Sequence, residues 1–373
     1  MLDWKRQSCI AVRDTRTFFD TNTIYPREKH VTMEDLPFHQ RRRQHFLHEE
    51  LYQKTRTNQL SLIRGGEENR KDAYSIGESS SVHHFLYLEL LWIWMLDYTA
   101  GIALDQLAPR IADIVDKFEE WNEVDQRYQQ ECALKLPEYG PYTYSGAPDF
   151  SILSDYEDTL QLLSIAILVR DQRSVQRIIH VLRSHRGQDG LFEQLISAYA
   201  DNVVERDTCL LGAPYDTLLR VFYEEDETAT LTLLKKYLQQ WYPAMKNHPR
   251  WHDEHLRISE EGYAGYYGYW AFEAGAAVFI LDLDDSAIDH LVYPKDLVNY
   301  GRKLRAEHRY TSVDTALINK AGRIEGGQPC PQTGFWETQA KLHSRSHFEQ
   351  GDRMPVFDDS NYGEIIWYWS TEQ

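Results

Sequence analysis

Cysteine is scarce. The chain has four in 373 residues (Cys9, Cys132, Cys209 and Cys330), far apart and with no CxxC among them. That argues against a disulfide-dense secreted fold and against a thiolate zinc cluster, and a reducing compartment is the simplest reading. Long hydrophobic runs are also missing. The most apolar stretch, Phe85 to Leu96 (FLYLELLWIWML), contains Glu89 and is followed by Asp97. A membrane-spanning helix needs roughly 20 apolar residues, so this stretch reads as a buried core helix. The N-terminus, MLDWKRQSCIAVRD, has no apolar core of the kind a secretory signal requires. A soluble cytoplasmic chain is expected. Basic charge is in deficit, with 40 Lys+Arg against 58 Asp+Glu and a formal net charge of −18. Residues 1–70 hold 13 basic and 10 acidic groups, so the remaining 27 and 48 give the body a net of −21. Such a body repels phosphate, which argues against direct nucleic-acid binding and suits a basic partner. There is also no GxSxG, no P-loop, no HExxH and no mark of a thiol with lowered pKa.

A hydrophobic content of 42% and an aromatic content of 13% supply a folded core. The periodicity is helical. After Asp105, Leu107, Ile111, Ile114, Val115, Phe118 and Trp121 share one face. Ser154-Asp155-Tyr156-Glu157 has capping-box spacing ahead of Leu160 to Leu168. Ser174 is placed to start the next helix, with Gly187 as its stop. Stripes follow over Leu191–Tyr199, Tyr215–Phe222 and Leu231–Trp241, the last ended by Pro243. The segment Tyr263–Leu281 is apolar nearly all round and reads as a central helix. The segment 132–153, rich in Pro, Gly and Tyr, reads as a connector. From about Gly322, Gly and Pro punctuate short runs such as Gly334–Thr338 and Ile365–Trp369, which read as strands. The expected fold is mainly α: an array of antiparallel helical hairpins with a small β-rich C-terminal appendix. Its expected parts are an N-terminal helical subdomain (1–131), the array (154–305) and the tail (322–373).

Four constellations invite a chemical reading, each beside a plainer one. Glu224-Glu225-Asp226-Glu227 is either a solvated helix start or a surface that docks on a cationic site. Asp282, Asp284, Asp285 and Asp289 resemble a cation cluster. Yet EF-hand spacing fails, and Asp285-Ser286 reads as the N-cap of a short helix through Ile288. Gly262 to Trp270 alternates glycine with aromatics, which suits close packing around Glu273 better than a ligand cleft. His83-His84, His252/His255 and His343/His347 invite a metal reading, since a pair at i,i+3 or i,i+4 shares one helical face, but none has a third ligand at a matching interval. No metal is expected.

The block Gly265-Tyr266-Tyr267-Gly268-Tyr269-Trp270-Ala271-Phe272-Glu273-Ala274, running into Leu283-Asp284-Asp285-Ser286 and Tyr293–Leu297, resembles the C-terminal signature of the PoNi family. Members of that family are immunity proteins for PoNe-type DNase toxins exchanged between competing bacteria. Asp155-Tyr156-Glu157 before Leu162–Leu168, Pro214-Tyr215 with Leu218, Arg13-Asp14 and Tyr98–Gly101 are similar to the family's other elements, so the resemblance spans about residues 10–305. The tail, with Pro329–Trp336, Phe348–Pro355 and Tyr362-Gly363, is similar to a cap module that ends other type VI secretion immunity proteins. The resemblance implies a binding protein with no catalytic residues and no cofactor, whose partner is a toxin with a basic nuclease domain. Glu224–Glu227, Asp253 and Glu254 are the candidate contacts. Tyr266, Tyr267, Gly268, Tyr269, Trp270, Glu273, Asp284 and Asp285 form the mainly structural signature. Two other readings stand beside it. One is an all-helical carbohydrate-active enzyme, which needs two carboxyls about 5–9 Å apart across a cleft. The other is a helical scaffold for a different protein.

Overall fold

The computed structural model describes residues 36–135, 147–200, 202–247, 251–307, 309–311, 323–331, 333–338, 344–357 and 365–369. In it, helix α1 (Phe38–Arg41) leads to two 24-residue helices, α2 (Glu49–Asp72) and α3 (Ile76–Thr99). Ser75 caps α3 by accepting from the Glu78 backbone N–H at 3.2 Å, while the Glu78 carboxylate accepts from the Tyr74 N–H. The run at 85–96 lies inside α3, where 14 of the 24 residues are buried. A short helix, α4 (Leu104–Leu107), and one 3₁₀ turn lead into α5 (Ile111–Lys135). Helix α3 packs between α2 and α5, so its apolar character all round has a partner on two sides. Asp97, almost fully enclosed, ties α3 to α2 and to the 3₁₀ turn ahead of α5. It accepts from the Tyr52 hydroxyl (2.9 Å), Arg56 Nε (2.8 Å) and Arg110 Nη1 (2.7 Å). Helix α5 takes in Cys132–Lys135, so the connector is shorter than its composition suggests; residues 136–146 lie outside the described ones.

The second half is built of shorter helices: α6 (Leu153–Leu168), α7 (Gln172–Val181), α8 (Gly190–Leu195), α9 (Tyr215–Leu219), α10 (Glu227–Ala244), α11 (Phe272–Leu281) and α12 (Lys295–Ala306). Helix α11 lies against α6, α8 and α12. Several boundaries differ from the sequence expectation, among them that of the stripe Leu191–Tyr199, which is α-helical only as far as Leu195. The cap of α7 is Asp171, whose carboxylate accepts from the Ser174 N–H (2.9 Å) and hydroxyl (2.8 Å), so Ser174 supports the cap rather than supplying it. Helix α6 begins before Ser154, which places Glu157 in the core instead of in a capping box. Helix α10 runs through Pro243 in its last turn.

The largest correction concerns Tyr263–Leu281. Only Phe272 onward is helical, and residues 263–271 run as an extended, irregular segment. Its backbone bonds to side chains of the first half. Gln44 accepts from the Tyr269 N–H (2.9 Å) and donates to the Tyr269 carbonyl (2.6 Å), and Thr55 accepts from the Ala264 N–H (3.2 Å). Gly268 has φ +116°, and a Cβ there would lie 2.2 Å from Thr99 Oγ1. The short helix expected at Asp285–Ile288 is instead a turn, closed by Ile288 N–H to the Asp285 carbonyl at 2.9 Å.

Buried side chains from Phe38 to Val298 form one hydrophobic cluster. The tail has its own small core of Ile324, Cys330, Trp336, Met354, Ile365 and Trp367. Around that core lies an antiparallel sheet of β1 (Arg323–Glu325), β2 (Gly334–Thr338), β3 (Ser346–Phe348) and β4 (Ile366–Trp369), in the order β1-β4-β2-β3. Strand β2 carries the sequence's predicted bounds, and β4 begins one residue later than predicted. The mainly α architecture with a small β appendix is what the sequence implied.

Candidate partner interface

The acidic run at 224–227 follows α9 and opens α10. All four side chains are exposed. Asp226 is the N-cap, accepting from the Ala229 N–H at 2.7 Å, and Glu224 accepts from the Asp226 N–H at 3.1 Å. The capping reading and the docking reading therefore divide among the residues. Asp226 closes the helix, while Glu225 and Glu227 hold their carboxylates in solvent beside the positive end of the α10 dipole.

A second loop lies against Tyr223, the residue just before this run. The Tyr223 hydroxyl donates to the Arg206 carbonyl (3.2 Å) and accepts from Gln194 Nε2 (3.0 Å). Glu205 and Asp207 are exposed on that loop and extend the acidic character beyond the run itself. Two enclosed carboxylates hold the loop. Glu193 accepts from Arg186 Nε (2.8 Å), Gly187 N–H (2.7 Å) and Val204 N–H (3.1 Å). Burial raises its pKa, but the Arg186 guanidinium and these N–H groups outweigh that and hold it below the usual range. Asp189 accepts from Phe192 N–H (2.9 Å), Leu210 N–H (2.8 Å) and the Tyr156 hydroxyl (3.1 Å), and burial pushes its pKa up. Neither loop carboxylate stands out in the sequence, because each reads locally as an ordinary helix-start acid.

Asp253 and Glu254 lie elsewhere. Asp253, at φ +62°, accepts from the Tyr242 hydroxyl at 2.6 Å, which holds its carboxyl below the ordinary range, and His252 Nδ1 sits 3.3 Å away. Glu254 pairs with Arg257 at 2.7 Å. Tyr242 is fifteen residues along α10 from Glu227, roughly 22 Å at the helical rise. The two acidic groups thus occupy opposite ends of one helix.

The signature residues are mostly internal. Tyr266, Tyr267, Tyr269 and Trp270 are buried, and Trp270 Nε1 donates to Thr99 Oγ1 at 2.8 Å. Glu273 is 1% exposed, takes the Tyr237 hydroxyl at 2.5 Å, and is pushed up to about 7 by burial. Asp285 is buried between the Tyr293 hydroxyl and Arg302, each at 2.6 Å, while Asp284 is exposed and accepts from the Ser286 N–H. Of the residues that clasp this block, Thr99 lies in the Tyr98–Gly101 element of the resemblance, while Gln44 and Thr55 were not singled out from the sequence. A two-carboxyl catalytic cleft finds no support in the core acids. Glu157 and Glu273 are 2% and 1% exposed, so neither carboxyl faces solvent.

The described members of the histidine pairs each face a group of the fold. His83 Nδ1 lies 2.7 Å from the Ser79 carbonyl, His84 stacks on Trp121, and His255 Nδ1 lies 2.6 Å from the Tyr269 hydroxyl. His347 stands edge-on to Phe335. His343, Arg13-Asp14 and Tyr362-Gly363 lie outside the described residues. Among the described residues no three His, Cys, Asp or Glu side chains are grouped to hold a metal ion, and no helix is long and apolar enough to cross a membrane.

Residues 187–297 match the family model described as PoNe immunity proteins (PoNi), C-terminal. No curated protein matches the chain. Among solved structures, protein PA2201 from Pseudomonas aeruginosa is similar, at 18% identity and a TM-score of 0.51, over 68% of this chain and 88% of that one. At that identity the likeness is one of fold. The matched span 187–297 contains both loops, all of α10 and the aromatic block.

Proposed function

We propose, from the match of residues 187–297 to the PoNi C-terminal family model, that the chain is an immunity protein that binds and neutralises a cognate PoNe toxin without catalysing a reaction. The family match carries the reading. The toxin on this reading is a DNase delivered by type VI secretion, and the chain meets it in the bacterial cytoplasm, where the DNA lies. A nuclease must present positive potential to phosphate, and a body of net −21 attracts such a surface over long range. The exposed carboxylates of Glu225 and Glu227 are the contacts favoured by geometry, with Glu224 beside them accepting from the Asp226 N–H. Asp253 and Glu254 are already engaged within the fold and are weaker contacts.

The test is survival. A cell expressing the toxin encoded beside this chain should die, and one expressing both should grow, with the two proteins co-purifying as a complex. Killing undiminished by the chain would reject the reading.

A further inference from the structure

The matched region carries exposed apolar surface that the acidic rim alone does not explain. Val204, Leu210 and Tyr223 are 45%, 43% and 49% exposed. All three belong to the loop 202–212 or to the residue that props it, since the Tyr223 hydroxyl holds the Arg206 carbonyl. We propose that this loop and Tyr223 form the apolar seat of the toxin interface, taking a basic protein surface that presents an apolar side chain flanked by Lys or Arg. The proposal rests on the immunity reading and names the surface and the partner chemistry within it.

Two observations support it beside the exposure. The first is rigidity. Val204 N–H is held by Glu193 and Leu210 N–H by Asp189, while Cys209 N–H donates to Asp216 at 3.0 Å and Gly190 N–H to the Thr208 carbonyl at 2.9 Å. Enclosing carboxylates costs free energy, which their hydrogen bonds offset, and the result is a surface loop fixed at several points. A fixed loop loses little conformational freedom on binding. The second is charge. Residues 202–227 hold seven carboxylates and two guanidiniums, a net of −5, and one of those guanidiniums, Arg206, is committed to the Gly187 carbonyl at 3.0 Å. Glu205 and Asp207 are exposed on the loop itself, and the exposed acids at 224–227 follow directly after Tyr223. A nucleic acid or an anionic membrane is repelled by this rim, whereas a basic protein face is attracted to it. An apolar centre within a polar rim is the common anatomy of a protein interface. The centre sets how long a complex lasts, and the charged rim how quickly it forms.

The test measures binding kinetics of the full chain against an inactive variant of the toxin encoded beside it. Val204→Ser with Leu210→Ser alters only exposed side chains. It should raise the dissociation rate about tenfold or more, while the association rate stays within about twofold. Hydrogen exchange on the wild-type chain gives a second readout that needs no variant: complex formation should protect the backbone of 202–212. A wild-type dissociation rate in the double variant, or a complex that leaves 202–212 unprotected, overturns the seat but leaves the immunity reading intact. A wild-type chain that does not bind the toxin at all sinks both.

Discussion

Glu273 is a carboxyl in the middle of a packed core, with one hydroxyl, that of Tyr237, donating to it. Burial holds its proton to about pH 7, against an ordinary value of 4.5. Glu157 is pushed the same way, first by burial and then by the neighbouring Asp158 and Glu273 charges. The sign follows from proton binding. Between about pH 4.5 and 7 the folded chain keeps the Glu273 proton and the unfolded chain has released it. Stability is therefore full below the lower value and falls as pH rises toward 7. The span of the shift corresponds to about 3 kcal/mol as an upper bound. Glu273→Gln removes the titration while leaving an oxygen for Tyr237. Urea denaturation should find the variant gaining on the wild type between pH 5 and pH 8. A difference that does not change with pH would contradict the assignment.

At the scale of elements, α10 connects the local chemistry to the fold. Asp226 caps it and Glu225 does not, though both are exposed acids one residue apart. Asp226→Ala should cost about 1 kcal/mol of unfolding free energy, and Glu225→Ala should fall within the scatter of neutral surface changes. Equal losses in thermal denaturation would mean that the helix start is held by something other than its cap. This helix also marks what was legible in advance. Its start at an acidic run and the stripe Leu231, Leu234, Leu238 follow from local rules, and so do the core helix at 85–96 and strand β2, whereas Pro243 sits inside the last turn of α10 instead of ending the helix. The segment 263–271 did not follow, because its determinants are remote. Its backbone groups bond to Gln44 and Thr55, more than 200 residues away, and Gly268 packs against Thr99. A window of aromatic and small residues there carries no local sign that the helical ladder is replaced by side chains from the other half. The candidate interface was half legible for the same reason. The run at 224–227 announces itself by charge, whereas the loop at 202–212 depends on Glu193 and Asp189, whose roles appear only once α8 folds against the loop.

For the whole molecule, the formal charge of −18 acts at a distance set by salt. At 0.1 M the screening length is about 10 Å, so charges at the proposed interface keep their effect while those at the far end of α10, roughly 22 Å away, are largely screened. Toxin association should therefore slow by about tenfold or more between 50 mM and 500 mM salt, with dissociation changing far less. Replacing Glu224, Glu225 and Glu227 with Lys, and sparing Asp226 to keep the helix cap, should lower the rate at 50 mM and flatten its salt dependence. Glu254→Gln, at the other end, should do neither, since that carboxylate is paired with Arg257 and lies beyond the screening length. Stopped-flow association across a salt series separates the alternatives. If the triple variant keeps the wild-type slope, the steering field belongs to another face of the chain, and the run at 224–227 is a helix start and no more.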